Sequence, residues 1–340
     1  MSALIFLGGC QISYIVKNGY EQSKILAERE SLEKVLRKKS IPEEVKRKLR
    51  LASEAKVFAE KHLGLAATKN YSSYVDLQRP YVSWIVQVAS EYELTPHLWH
   101  FPLVGSLPYK GFFTKAEAEE EAREFDEKQY DIYIRGVTAY STLGWFKDPL
   151  LNTMMNYSDS DLVELIIHES VHATLYIKSE AEFNERLATY VGQLGAQKFF
   201  LAKEGESSTT LKKVKLERED QESFSVFLSA QIKALEVWYT ENKGKITPEQ
   251  KAERLKQIQE AYQRDLVPHL KTQNLSKALS GELNNAILVG LKTYNMDLKD
   301  FEKLYEKLGT DIRAFIKFCK GLEKEKDPSQ SLKDFLARAG

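Results

Sequence analysis

The sequence predicts a mostly helical α+β protein in which a small β-sheet precedes one central helix. Three observations predict this class. Apolar residues recur at helical spacing through residues 12–64, and again from Ser158 almost to the C-terminus. Between these regions, "YVSWIVQVAS" and "YDIYIRGVTAY" are rich in β-branched and aromatic residues, as strands are. The stretch "DLVELIIHESVHATLY" sets Leu165, Ile166, Ile167 and Val171 around two histidines, the pattern of a helix buried by its neighbours.

Composition bounds the remaining choices. The chain's 340 residues suffice for a large core. Lys plus Arg number 49, as do Asp plus Glu, and no basic stripe interleaves with aromatics, so no nucleic-acid partner is expected. Two cysteines, Cys10 and Cys319, are too few for a disulfide framework or a cysteine-rich metal site. No apolar stretch reaches the ~18 residues of a membrane span.

In chain order, "KNGYEQSKILAERESLEKVL" and "IPEEVKRKLRLASEAKVFAEKHLGL" are amphipathic helices divided at Ser40-Ile41-Pro42. Residues 70–135 hold the sheet. The charged "TKAEAEEEAREFDEKQ" between its strands is a crossing helix capped by Thr114. Ser158-Asp159-Ser160-Asp161 opens the central helix with a capping-box pattern, and that helix is expected to run through Tyr176. Ser179 with Glu182 opens its successor, which extends to about Leu201, and "KEGESSTTLKK" (203–213) reads as a polar loop. Residues 217–242 and 248–267 form a helical hairpin around Asn242-Lys243-Gly244-Lys245. Its inner face is marked by Phe224, Phe227, Leu228, Ile232, Leu235, Trp238 and Tyr239. More helix follows. The expected organisation is one unit over 11–340: N-terminal helices to 69, sheet and central helices over 70–202, and a C-terminal helical region over 203–340.

The chemistry concentrates in His168-Glu169-Ser170-Val171-His172. Positions i and i+4 share one helix face, so both histidines can meet one metal ion. Glu169 sits about 100° round the axis, where it can reach a water on the metal without being a ligand. Zinc hydrolysis of a peptide bond needs that division: the ion activates water and polarises the carbonyl, and a carboxylate moves the proton to the leaving amine. Chance yields such a pentapeptide in roughly one chain in a hundred. The competing reading is two histidines satisfied by hydrogen bonds inside a packed helix. A third ligand favours the metal. With a short connection the next helix is an antiparallel neighbour, and Glu185, about 9 Å into it, matches the height of His172, about 6 Å before the first helix ends. Ala188, Gly192 and Gly195 would let the two helices close up, whereas Glu180 and Glu182 lie nearer the turn.

Other candidates follow from the same reading. "GVTAYSTLGWF" reads as an extended segment ahead of the central helix. Such a strand can hold a substrate backbone and would place Tyr140 near the metal as the donor to the oxyanion, with Tyr190 and Tyr294 competing. His62, His97 and His269 read as packing or surface residues; His100, in "LWHFP", could approach the site, against a packing or hydrogen-bonding role; Cys319 reads as a buried thiol. Asn284-Asn285 reads as a cap or cross-link of the C-terminal helices.

The stretch "IIHESVHATLYIKSEAEFNERLATYVG" resembles a family of bacterial zinc aminopeptidases of lipoprotein type, whose pattern is HExxH, a tyrosine, then FNE and a small-residue helix. "NYSSYVDLQRPYVSWIVQVA", "FPLVGSLPYKGFF", "GVTAYSTLGWFKDPLLNTMM" and "NNAILVGLKTY" extend the resemblance in order. It implies a zincin-like metallopeptidase of gluzincin type acting on a peptide or protein substrate, with Zn2+ held by His168, His172 and Glu185 and with Glu169 as base. "GCQISYIVKNGYEQSKIL" belongs to the same resemblance, and "LIFLGGC" is similar to a bacterial lipobox. Residues 1–10 are therefore expected to be the remnant of a lipoprotein signal, with Cys10 lipidated and the protein membrane-anchored on the periplasmic side of the envelope. The family also implies cysteines at two positions occupied here by His100 and Ser106. No GxMEN-type motif, which binds a free N-terminus in other zinc aminopeptidases, occurs. An endopeptidase or cell-wall peptide hydrolase is the alternative within the class. Outside it stands a non-catalytic, lipid-anchored binding or scaffold protein.

Overall fold

The computed structural model describes residues 9–338 except 103, 141, 143–145 and 295–297; the side chains of 9–12 and 294 are also outside the described residues. The chain begins with α1 (Gly9–Ala27), β1 (Glu30–Ser31), α2 (Leu32–Arg37) and α3 (Glu43–His62). The β-rich region supplies β2 (Ser73–Val75), β3 (Ser83–Ser90), β4 (Trp99–Phe101), β5 (Gly105–Leu107), β6 (Lys110–Phe112), α4 (Lys115–Ala122), β7 (Tyr130–Val137) and β8 (Leu150–Leu151). Then come α5 (Asp159–His172), α6 (Ala181–Glu204), α7 (Thr209–Glu241), α8 (Pro248–Ala261), α9 (Asn285–Tyr294), α10 (Lys299–Lys307), α11 (Ile312–Gly321) and α12 (Pro328–Ala337). This is the expected mostly helical α+β class.

The main sheet is antiparallel, in the order β6-β3-β7, with β3 and β7 paired from Ser83↔Val137 to Ser90↔Tyr130. Both faces of β3 are covered, which explains its almost unbroken apolar run. Val86 and Val88 pack on Ala118 and Ala122 of α4. On the other face Ala89 meets Ala286 and Val289 of α9. Gly290 lets α9 come close, because a Cβ there would lie 2.7 Å from Gln87 Nε2. The Asn284-Asn285 pair caps this helix and cross-links it to α7, as expected: Ile287 N donates to Asn284 Oδ1 (2.9 Å) and the Tyr239 hydroxyl donates to Asn285 Oδ1 (2.9 Å). Their amide nitrogens also tie it to the sheet. Asn285 Nδ2 donates to Ser90 O (2.9 Å) and Glu91 O (2.8 Å), and Asn284 Nδ2 to Ile132 O (3.0 Å).

Helices α3, α5 and α6 share the largest core with α10, α11 and part of α12. Cys319 is buried there, as expected. The α7–α8 hairpin forms as predicted, with Phe224, Leu228, Ile232, Leu235 and Tyr239 inside a second core. Thr114 caps α4 with a capping box completed by Glu117. His100 and Ser106 stand opposite each other on the β4–β5 hairpin, joined by a 2.7 Å hydrogen bond between Nδ1 and Oγ. Among the described residues no helix is long and apolar enough to cross a membrane.

Four local expectations are corrected. The extended segment before the central helix stops at Val137. Asp148 accepts hydrogen bonds from Thr142 N (2.9 Å) and Oγ1 (2.7 Å), which folds the chain into a loop. Helix α5 ends at His172 instead of Tyr176; just beyond, Thr174 Oγ1 donates to Ser170 O and accepts from Ala66 N, drawing the chain toward the end of α3. Ser179 is not a cap. It has a φ of +65°, donates its N–H to Val104 O and accepts from Ser106 N, so tertiary contacts hold it outside α6. The loop expected over 203–213 shrinks to 205–208, because Ser208 caps α7.

Candidate metal centre

Helix α5 is started by Ser158, whose Oγ accepts from Asp161 N. Its Leu162, Val163, Ile166 and Ile167 are wholly buried, which fixes the rotation of the helix and turns His168, Glu169 and His172 toward a large cleft. Helix α6 lies against it across the connection 173–180, longer than the turn the sequence implied. The close approach rests on two glycines. A Cβ on Gly192 would lie 3.4 Å from His168 Cβ and 3.2 Å from Glu164 O, and one on Gly195 would lie 3.0 Å from Ile167. The Phe183-Asn184-Glu185 triplet divides the work of positioning. Phe183 packs edge-on against Phe301. Asn184 clamps the connection, accepting from Ile177 N (2.9 Å) and donating to Ile177 O (2.7 Å). Glu185 then faces the histidines.

His168 Nε2 and His172 Nε2 are 3.1 Å apart. Glu185 Oε2 lies 3.3 Å from the first and its Oε1 3.6 Å from the second. Four-coordinate metal sites with bonds of about 2.0–2.2 Å separate their ligand atoms by about 3.3–3.6 Å, so the three residues fit a divalent ion with one position left open. They are the single such group among the described residues. Glu180, half-buried, and Glu182, exposed, lie outside it, as the sequence predicted. His172 Nδ1 is buried and meets no hydrogen-bond partner among the described residues.

Electrostatics separate the two glutamates. Burial pushes the Glu185 carboxyl up, but the charge of His172 and hydrogen bonds from both histidines outweigh it and hold the group well below the usual carboxylate range. Glu169 is outside the ligand set. Burial, set against the attraction of His168 and reinforced by Glu185 and Asp148, raises it to about 7. Behind it is Tyr71, 1% exposed, with φ +59° and a hydroxyl lacking a partner among the described residues. A non-glycine residue in that conformation is a local strain of the kind found at working sites.

The cleft measures about 1230 Å3 and draws walls from distant parts of the chain: Tyr14 and Gln22 of α1, Arg135 of β7, Glu217 of α7 and Gly290 of α9. Tyr140 lines it, but its hydroxyl donates to Gln22 Oε1 and its ring meets Phe113 edge-on. Tyr176 is the tyrosine beside the ligands: its ring is 6.3 Å from that of His172, and burial, with Glu185 nearby, raises its hydroxyl to about 12. Its position four residues after His172 was the available signal. Tyr190 belongs to the core among Phe301, Phe315 and Tyr305. The side chains of Tyr294 and Cys10 lie outside the described residues. Glu164, one turn before His168, also faces the cleft and was missed, although its i−4 spacing marked it.

Neither a curated protein nor a solved structure matches the chain. One family model does, over residues 13–333, and since this is nearly the whole chain, the protein belongs to the family described as "Putative aminopeptidase".

Proposed function

We propose that this protein is a zinc-dependent aminopeptidase of the bacterial cell envelope, of gluzincin type, anchored through lipid on Cys10. The observation that carries the metal reading is the spacing of His168, His172 and Glu185, with a non-ligand carboxylate beside them in an open cleft. Family membership supports peptide hydrolysis. Zinc held there would supply a Lewis acid and a nucleophilic water near neutral pH. The chain supplies the rest. Glu169 takes the proton of the attacking water and delivers it to the leaving amine. β7 is an edge strand, and its Arg135, Gly136 and Val137 line the cleft, so its backbone can pair with an extended peptide. Tyr176 donates to the developing oxyanion.

The test is metal analysis joined to peptide turnover. About one zinc per chain is expected, with cleavage of free-amine peptides lost on chelation and restored by zinc. Undiminished turnover by metal-free protein would sink the reading. For the oxyanion, Tyr176→Phe should lower kcat roughly 10²–10³-fold, the usual cost of one such donor, and Tyr140→Phe should cost less. The reverse order would return the role to Tyr140. For the anchor, the protein expressed from its complete gene should fractionate with membranes, and Cys10→Ser should release it. Unmodified Cys10 in a soluble mature protein would end that part of the proposal.

A further inference from the structure

Glu164 stands on the cleft face of α5, four residues or about 6 Å of helix from His168. The side chain runs along the α5–α6 seam, where a Cβ on Gly192 would lie 3.3 Å from its Cγ. It is half-buried and opens onto the cleft. Asp161 and Glu217 line the same wall, yet both are engaged: Asp161 with Ser158 (2.7 Å), Glu217 with Lys213 (3.1 Å), Ser160 (3.3 Å) and Asn274. Arg218 also lines the cleft, but it is bonded to Glu222 (3.0 Å) and Glu302 (2.9 Å). Among the described residues no donor and no cation bonds Glu164. Burial, then Asp161 and Glu217, raise its carboxyl to about 8. A carboxylate in such surroundings is stabilised by a cation arriving from outside.

We propose that Glu164 binds the free α-ammonium group of the peptide substrate, so that the cleft selects N-terminal residues. The inference rests on the peptidase reading above and gives it an exopeptidase register. The amine and the first carbonyl carbon of a peptide are two bonds, about 2.5 Å, apart. A charge-assisted N–H···O bond adds about 2.8 Å. Their sum, on the order of 5 Å, is close to the ~6 Å of helix between Glu164 and His168, so an amine on Glu164 brings the first peptide bond beside that ligand. The second lies one residue, about 3.8 Å, further on.

The test uses the zinc-loaded full chain and one peptide in two forms, with a free and with an N-acetylated terminus. The readout is the ratio of their kcat/KM values, in which a general loss of activity cancels. Wild type should favour the free amine, and Glu164→Gln should reduce the ratio roughly 10- to 100-fold, mainly through KM for the free-amine peptide. Glu164→Asp, which keeps the charge on a shorter arm, should restore part of it, and serves also if the glutamine variant does not fold. Zinc-dependent cleavage of both forms at one rate, or a ratio unmoved by both substitutions, overturns the assignment while leaving the peptidase reading in place. A zinc-loaded wild type that cleaves neither form overturns both.

Discussion

Glu169→Gln is expected to keep zinc and lose turnover, by ~10²–10⁴-fold or more in kcat. Glutamine has the size of glutamate and can occupy the same site, 8% exposed beside Tyr71 and Asp148, so packing survives. It cannot accept a proton from water at neutral pH. Because Glu169 stands outside the group of three ligand atoms, the variant should bind metal with nearly wild-type stoichiometry. Turnover and metal content measured on one preparation decide the matter. Full activity in the variant would remove Glu169 from its role, and loss of zinc would show that it acts as a ligand.

Glu185→Ala is expected to abolish stoichiometric zinc. The carboxylate would provide one of the three ligand atoms grouped there among the described residues, 3.3 and 3.6 Å from the two imidazoles. Loss of even a supporting contact around a metal ligand typically costs ~10–100-fold in affinity, and loss of a ligand should exceed that. Zinc added to the metal-free wild type should raise Tm, since a ligand that binds only the folded state stabilises it. The Glu185→Ala variant should show little such shift. Glu182→Ala and Glu180→Ala should behave as wild type, because neither belongs to the ligand group. Stoichiometric zinc in the Glu185→Ala protein would return the two histidines to the reading of a hydrogen-bonded pair on a packed helix.

The sequence could separate Glu185 from its two neighbours because the separation is nearly local. Two consecutive helices with a short connection pack as antiparallel neighbours, and residue counts along them convert to height. The connection is longer than expected, 173–180, yet His172 at the end of α5 still meets Glu185 near the start of α6. Asn184 tightens that connection by bonding Ile177 on both its N–H and its C=O. Tyr140 marks the opposite case. Its placement depended on a strand continuing past Val137, where β7 ends, and on no contact elsewhere, whereas the Tyr140 hydroxyl is engaged by Gln22 of α1. Periodicity tells which face of an element is buried; it is silent on which distant side chain meets it.

The same boundary divides the rest of the molecule. The sequence by itself determined the α+β class, the strands flanking a charged helix, the capped central helix, the helical hairpin, and His168, Glu169, His172 and Glu185 as one constellation. These follow from β-branched and aromatic enrichment, a period of 3.6 residues, caps and the adjacency of consecutive helices. Only the tertiary structure decided that α1 and α7 wall the cleft beside α5, that Tyr176 rather than Tyr140 stands against His172, that Ser179 is drawn away from α6 by Val104 and Ser106, and that Glu164 faces the cleft without a partner among the described residues. The cleft walls and the placement of Ser179 are set by contacts between distant segments, whose geometry depends on the packing of the whole core; helical spacing brought Tyr176 and Glu164 near the histidines, but only that packing decided which of their contacts are made.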